Sequence, residues 1–600
     1  MVEKLKQLIK KHFKHLAYFY SHLRYRFFLA NGLSLAVAVL DGLGIAMFLP
    51  LLQVAGGEGN SFKSDDMGNL RFLVDGMEHL GFHLTLVSVM SVMVLFFSLK
   101  GVARFFDAWY RVVNLRFFMK KVRFENIDAL VKYDYKAFVT SDVGRIQNTL
   151  SGETNKVGSA YRSYASTVQT LVLVLVYTFM AFLANAQFAL MVVIGGALSN
   201  VLYQQIYKRT KQASKQLTFG AHNFQGLLIQ KVAFFKYLKA TALIIPYSKK
   251  LKDVVNYTEG ISKKMGMYNA VLSSTREPLV VLVVVAVISI EVTYFSTSIG
   301  LMLLSLAFFY RSLSFLMVVQ NNWNQFMQNS GSLDNMQEFV HELRVHKEIN
   351  GKESISAFVD SLQLHEAAFG YNGVPVLRQL NLKVKRNETV AFVGESGSGK
   401  TTIVNIMSGL LSVDEGSFLI DGKDSRRLDI HTYQRRIGYI TQDPVIFSDT
   451  VFNNVTFWDK RTPEVEKRFW IALQKASIID FVRALPDGEN SFLGNNGILV
   501  SGGQKQRFSI ARELYKEIDI LIMDEATSAL DSETERAVQE SIEALKGQYT
   551  ILIVAHRIST IKNVDKVVLL DNGRIEEVGS FDYLKNNSRI FENMVKLQQV

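Results

Sequence analysis

Nine consecutive residues, Gly394-Glu395-Ser396-Gly397-Ser398-Gly399-Lys400-Thr401-Thr402, have the types and spacing of a phosphate cradle, G-x-x-x-x-G-K-[ST]. The glycines let backbone N–H groups approach phosphate oxygens, Lys400 supplies a cation for the β and γ phosphates, and the Thr401 hydroxyl suits Mg²⁺. The apolar run Thr389 to Val393 reads as a strand leading in, and Ile403 to Leu411 as a helix leading out. A nucleotide's phosphates would then lie at a helix N-terminus. Downstream, the apolar run Ile518 to Met523 ends in Asp524-Glu525. A buried strand that delivers a carboxylate beside the phosphates holds Mg²⁺, which assigns Asp524 to the metal. Glu525, the next residue, can orient and deprotonate an attacking water. A further strand, Thr550 to Ala555, ends in His556, which can contact a γ-phosphate, although a lone histidine there is more often structural.

Such a site needs elements to hold it. From Leu362 onward strand-like runs alternate with helical ones, which predicts an α/β P-loop ATPase domain over 361–600 with a substantially parallel sheet. The preceding part differs in kind. The 600-residue chain is too long for one core, and it is 48% hydrophobic with 42 Phe. Its mean hydropathy of +0.13 is high for a soluble enzyme. The absence of Cys excludes a disulfide framework, Cys-ligated zinc and a thiol nucleophile. Apolar runs occur at Phe27–Val54, Leu84–Leu99 (continuing to about Val113), Val168–Leu183, Phe188–Tyr203, Pro278–Phe295 and Ile299–Val319. Each is long enough for a hydrocarbon core of about 30 Å. The chain therefore reads as a multidomain membrane protein, with an all-α six-helix transmembrane domain over 25–330 and a polar linker over 331–360. Residues 3–24 have the spacing of an amphipathic helix lying on the inner membrane surface, forming a first segment, 1–24. The basic stretch Met1–Lys14 runs into no short apolar core with a cleavage site, so no cleaved signal peptide is expected.

The formal charge of +12 could serve nucleic acid or a membrane surface. Lys and Arg concentrate in 114–162 and 204–268, whereas 56–83 is the more acidic. The charge is thus mostly a topology signal, which argues against nucleic acid and places the long connections and both termini in the cytoplasm. Both connections read as helices extended beyond the bilayer, returning through turns near Tyr133–Gly144 and Phe234–Thr241.

Ser501-Gly502-Gly503-Gln504-Lys505-Gln506-Arg507 lies between the phosphate loop and Asp524-Glu525. It resembles the signature of ATP-binding cassette (ABC) transporters. Residues 362–585 resemble that family's ATPase domain, and the six spans resemble the transmembrane domain of an ABC exporter. The resemblance implies ATP and Mg²⁺ as the small molecules. Tyr371, in Phe369-Gly370-Tyr371, would stack on adenine. Gln442, in Thr441-Gln442-Asp443, would touch Mg²⁺ or water and sense the membrane domain. Ser501, Gly502, Gly503 and Gln504 would clamp the γ-phosphate held by the other subunit's Lys400. Asp531, in Ser528-Ala529-Leu530-Asp531, would link the two sites, and the two turns would be coupling helices. Two departures stand out. Val500 replaces the usual Leu, and Gly494-Asn495-Asn496-Gly497 replaces a charged Gly-Glu-Arg-Gly-like turn, which puts that turn's cross-talk with the coupling helices in doubt. Because one chain carries Lys400, Asp524, Glu525, Ser501 and His556, a homodimer with two ATP at its interface is implied, in a bacterial inner membrane.

Charges within spans cost about 2.5–3.5 kcal/mol on insertion scales and so point to function. Arg311 lies along the sixth span, Asp41 in the first, and Lys100, Arg104, Asp107 and Arg111 share one face of the second. Two readings stay open. One is a basic cavity for an anionic head group. The other is internal pairing, Asp107 with Arg104 or Arg111 and Asp41 partly with Arg311. The stretch Leu40 to Pro50, acidic then Gly-rich then Pro, resembles the exporter subgroup that includes lipid-linked oligosaccharide flippases. The implied function is ATP-driven outward movement of an anionic amphipathic lipid or glycolipid by alternating access. The alternative is a multidrug or peptide exporter.

Overall fold

The computed structural model describes residues 14–55, 72–79, 81, 83, 85–184, 186–294, 299–494, 497–524, 536, 539–540, 542–555, 557 and 560–598. The chain divides into two compact units. The first comprises Met1–Tyr133 and Ser141–Lys347, and the second comprises Asp134–Thr140 and Glu348–Val600.

The helices of the first half, in chain order, are α1 (Lys14–Leu23), α2 (Tyr25–Ala46), α3 (Phe48–Ala55), α4 (Phe72–His79), α5 (Leu86–Val131), α6 (Tyr135–Thr140), α7 (Val143–Asn148), α8 (Thr154–Ala184), α9 (Ala186–Ala233), α10 (Phe235–Ala240), α11 (Ile244–Tyr294) and α12 (Ile299–Val345). All but α6 belong to the first unit. Among the described residues, Tyr25–Leu51, Leu86–Val131 and Val143–Ala184 are apolar and long enough to cross a membrane. The backbone is also helical through 188–203, 278–294 and 299–319. Helix α5 has 46 residues, about 69 Å at about 1.5 Å each, more than twice a hydrocarbon core. Its start is fixed by a reciprocal cap, the Ser88 N–H donating to Thr85 Oγ1 and the Thr85 N–H to Ser88 Oγ. A wide π turn, Thr149–Glu153, joins α7 to α8. Its buried Glu153 carboxylate accepts from Asn335 on α12 and lies 2.9 Å from His222 Nε2 on α9.

Helix α1, expected to lie on the membrane surface, packs on its own unit. Its apolar face is spent on protein, with Phe19 and Leu23 packed among Phe118, Tyr161, Tyr164 and Phe326. The expected linker over 331–360 also dissolves. Residues 331–345 are the last turns of α12, burying Leu333, Met336, Phe339 and Leu343. Residues that follow are pinned to the second unit, the Gly351 N–H donating to Leu428 O (2.8 Å) and the Phe358 N–H to Asp519 Oδ2 (2.9 Å).

The second unit holds two sheets. The antiparallel one has the order β2 (Val374–Lys385), β1 (Ser361–Tyr371), β4 (Glu415–Ile420), β5 (Lys423–Asp424). The other has the order β10 (Arg574–Gly579), β9 (Lys566–Asp571), β3 (Thr389–Gly394), β8 (Thr550–Val554), β7 (Ile520–Asp524), β6 (Ile437–Ile440). All but β10 run parallel in it. Every residue of β3 and β8 is buried, as strands covered on both faces require. This is the expected α/β domain.

Candidate nucleotide site

In an open parallel sheet a ligand binds beyond the carboxyl ends of the strands. Here Phe392 of β3 and Asp524 of β7 both pair with Val554 of β8, so the phosphate loop and Asp524 leave the sheet at the same edge. The loop runs from β3 into α13 (Lys400–Met407). Gly394 has φ +150°, and a Cβ there would stand 2.1 Å from Leu570 O. Gly399 has φ +101°, and its Cβ would strike Leu377 Cδ2 at 2.5 Å. Only glycine gives this loop its path. Lys400 is 5% exposed, and its Nζ donates to Gly394 O (2.9 Å) and Glu395 O (2.8 Å). The Ser398 hydroxyl is buried without a hydrogen-bond partner among the described residues.

An orphaned hydroxyl beside a buried cation on a glycine-lined loop fits the phosphates of a nucleotide. The exposed Thr401 hydroxyl and the half-buried Asp524 are oxygen donors of the kind Mg²⁺ takes, leaving its other positions to water and phosphate. Among the described residues no three His, Asp or Glu side chains group into a metal site. Gln442 is exposed, between Thr441 and Asp443.

Tyr371 ends β1 half-buried, edge-on to Phe369 with ring centroids 4.9 Å apart. Burial pushes its phenol pKa up, and neighbouring Tyr135 adds to this, against a hydrogen bond with Thr402. That contact brings the aromatic corner against Thr402 of the phosphate loop. The corner is braced by Asp414, which accepts from the Gly370 N–H (2.9 Å) and from Lys136 Nζ (2.8 Å). Lys136 lies on α6 and sits 4.6 Å from the centre of the Phe369 ring. The first turn expected to act as a coupling helix thus belongs to the ATPase unit. Neither Lys136 nor Asp414 carries a local signal; their pairing spans the length of the membrane part.

Ser501 caps α14 (Gly502–Tyr515). Its Oγ accepts from the Gln504 N–H (3.3 Å), and its own N–H donates to Gln504 Oε1 (2.8 Å). This fixes an exposed helix start whose remaining N–H groups face an anion favourably. Sequence reasoning passed over Arg512 on the same helix. Its guanidinium is buried and donates to Asn454 O (2.6 Å), Val445 O (2.7 Å) and Asn454 Oδ1 (3.0 Å). Burial lowers its pKa, opposed by Glu513. It ties the helix to the loop that follows Gln442. Arg512→Lys keeps the charge but loses the fork, so about 3 kcal/mol of stability is expected to go. Calorimetry should show the ATPase unit melting roughly 6–12 °C lower.

In the first unit, Asp41 is 4% exposed and accepts from Lys100 Nζ and the Tyr177 hydroxyl. The expected partner, Arg311, is exposed instead, and among the described residues no carboxylate pairs with it. Asp107 is paired with Arg111, as helical spacing allows, and also accepts from Ser34 Oγ and Gln169 Nε2, each at 2.9 Å. Arg104 is exposed. Internal pairing therefore describes Asp41, Lys100, Asp107 and Arg111, but neither Arg104 nor Arg311. Glu525, Asp531, His556, Asn495 and Asn496 lie outside the described residues.

Residues 377–528 match the ABC transporter family. The ATP-dependent lipid A-core flippase of Francisella tularensis subsp. tularensis is 39% identical over 256 residues, covering 43% of this chain and 42% of that protein. The flippase of the same name from Syntrophus aciditrophicus is 43% identical over 225 residues, covering 38% and 37%. The chain spans about two fifths of the length of these relatives. Among solved structures, a bacterial Atm1-family ABC exporter with ATP bound matches with a TM-score of 0.75 at 22% identity. The match covers 97% of this chain and 99% of that one. The chain has the ABC exporter fold, with apolar membrane helices before an α/β ATPase domain. It resembles an exporter-type half-transporter.

Proposed function

We propose that two copies of this chain form an ATP-driven exporter that moves an anionic amphipathic lipid or glycolipid away from the ATPase side of the membrane. The phosphate cradle at the edge of the parallel sheet, fused to membrane-crossing helices, is the observation that carries the reading. Lys400 and the loop N–H groups hold the β and γ phosphates, and the start of α14 from the partner subunit closes over them. Tyr371 stacks on adenine. Thr401, Gln442 and Asp524 would hold Mg²⁺, which neutralises charge on the phosphates when bound. Glu525 takes a proton from water as its oxygen bonds to the γ phosphorus; the bond to the bridging oxygen breaks and ADP and phosphate leave. His556 contacts the γ-phosphate, and Asp531 links the paired sites.

The anionic substrate is supported by the exposed Arg311, which pairs with no carboxylate among the described residues, and by the lipid A-core flippases among the relatives; a lipid-linked oligosaccharide belongs to the same chemical class. With the ATPase side cytoplasmic, both termini lie there and the membrane is the bacterial inner membrane. The test is ATPase activity of the full chain in lipid nanodiscs, titrated with a phosphorylated glycolipid or with cationic drugs and peptides. Glycolipid should stimulate turnover severalfold, and Arg311→Ala should lose that stimulation while keeping basal activity. Stimulation by drugs or peptides, indifferent to Arg311, would overturn the lipid reading in favour of a multidrug or peptide exporter.

A further inference from the structure

A groove of about 740 Å³ opens between α1, α2, α5 and α8. Five arginines line it, Arg104, Arg111, Arg116 and Arg123 from α5 and Arg162 from α8, against one acid, Asp107. Asp107 is already spent on Arg111, Ser34 and Gln169. Arg123 donates to Asn155 Oδ1 at 3.2 Å, a neutral partner. Arg104, Arg116 and Arg162 are exposed, and among the described residues none of them pairs with a carboxylate. The groove therefore carries a surplus of positive charge that the described residues do not answer.

Depth identifies what answers it. Arg104 lies about 27 Å along α5 from Leu86, and Arg162 about 33 Å along α8 from Ala184, at about 1.5 Å per residue. A hydrocarbon core is about 30 Å thick, so arginines from two helices come level at its boundary, on the side of the long helical extensions. Exposed aromatic residues mark the same level: Trp109 is 60% exposed and Tyr25 68%. Inward of the arginines the groove wall includes Ala30 on α2 and Ala165 and Val168 on α8. Charge at this level matches a lipid whose phosphate sits at the boundary and whose chains run into the hydrocarbon beside the protein.

We infer that this groove binds the phosphate of an anionic phospholipid from the surrounding leaflet, as a bound rather than a transported lipid. Arg104 and Arg162 grip the phosphate through their planar forks. The groove does not include Lys100, Asp41 or Arg311, so the inference rests on the membrane-spanning fold alone and survives or fails independently of the transported substrate.

The test is native mass spectrometry of the full chain in detergent, with phosphatidylglycerol and phosphatidylcholine titrated separately. Phosphatidylglycerol should bind at least about tenfold tighter than phosphatidylcholine. Arg104→Gln/Arg162→Gln should lose that preference with melting temperature unchanged, because both side chains are exposed. Arg104→Lys/Arg162→Lys should recover part of it. Equal retention of phosphatidylglycerol by the glutamine variant would overturn the site. So would its displacement by millimolar inorganic phosphate, which would mark a pocket for a free anion.

Discussion

ATP turnover is expected to fall by at least about 100-fold in Lys400→Ala, in a chain that still folds. The reason is where the ammonium sits. Lys400 is buried on the floor of the loop, held by the carbonyls of Gly394 and Glu395, with the Ser398 hydroxyl, unpartnered among the described residues, nearby in sequence. It is the loop's own cation, so a polyphosphate loses its charge-assisted partner outright. Such a hydrogen bond contributes about 1.5–3 kcal/mol to ground-state binding, roughly 10- to 100-fold in ATP affinity. The remaining loss falls on the transition state, where charge moves onto the leaving oxygens. Lys400→Arg should also fail, because a planar guanidinium exceeds the space of one ammonium between two carbonyls. Titration calorimetry and a phosphate-release assay separate the two effects. Turnover of Lys400→Ala within tenfold of the parent would end its assignment to the phosphates.

The second large effect is on stability. Asp41→Asn leaves Lys100 with its ammonium largely buried and no opposing charge, at an expected cost of about 3–5 kcal/mol. The Tyr177 hydroxyl, which donates to the same carboxylate, keeps only a neutral acceptor. Thermal melting of the detergent-solubilised protein should drop sharply. Asp41→Asn/Lys100→Met should return most of it, since removing both charges removes the stranded one. A double variant as unstable as Asp41→Asn would show that the ion pair is not what holds α2 to α5.

The phosphate cradle was legible because its chemistry depends on local spacing: strand, glycines, lysine, helix. The membrane helices were legible because apolar length alone announces them. The Asp107–Arg111 pair was within reach for the same reason, since i and i+4 share a helix face. The internal-pairing reading sets Asp41 partly against Arg311, whereas the structure pairs it with Lys100, because which helices meet, and at what register, is set by packing and not by either sequence window. Helix α1 shows the related limit: periodicity says that a face is buried, not against what. The 331–345 segment is different, because the signal was present. Leu333, Met336, Val340 and Leu343 recur every three or four residues, and polar composition masked that helical stripe. Lys136, Asp414 and Arg512 act through partners far along the chain and leave no motif.

Helix α6 has a consequence for how the ATPase unit holds together. The chain enters this unit at Asp134, leaves after Thr140, and returns only at Glu348. A fragment beginning at Glu348 would lack the lysine over Phe369 and one of the two partners of Asp414. Adding residues 134–140 as a free peptide would not repair it. The helix's partly exposed ion pair contributes only on the order of 1 kcal/mol, and the half-buried Tyr135 adds one side chain's packing, well below what a separate molecule needs to stay bound at ordinary concentrations. In the intact chain the same helix is tethered at both ends, so its local concentration is set by connection and not by supply. A contact too weak to form between molecules is held in place by covalent continuity.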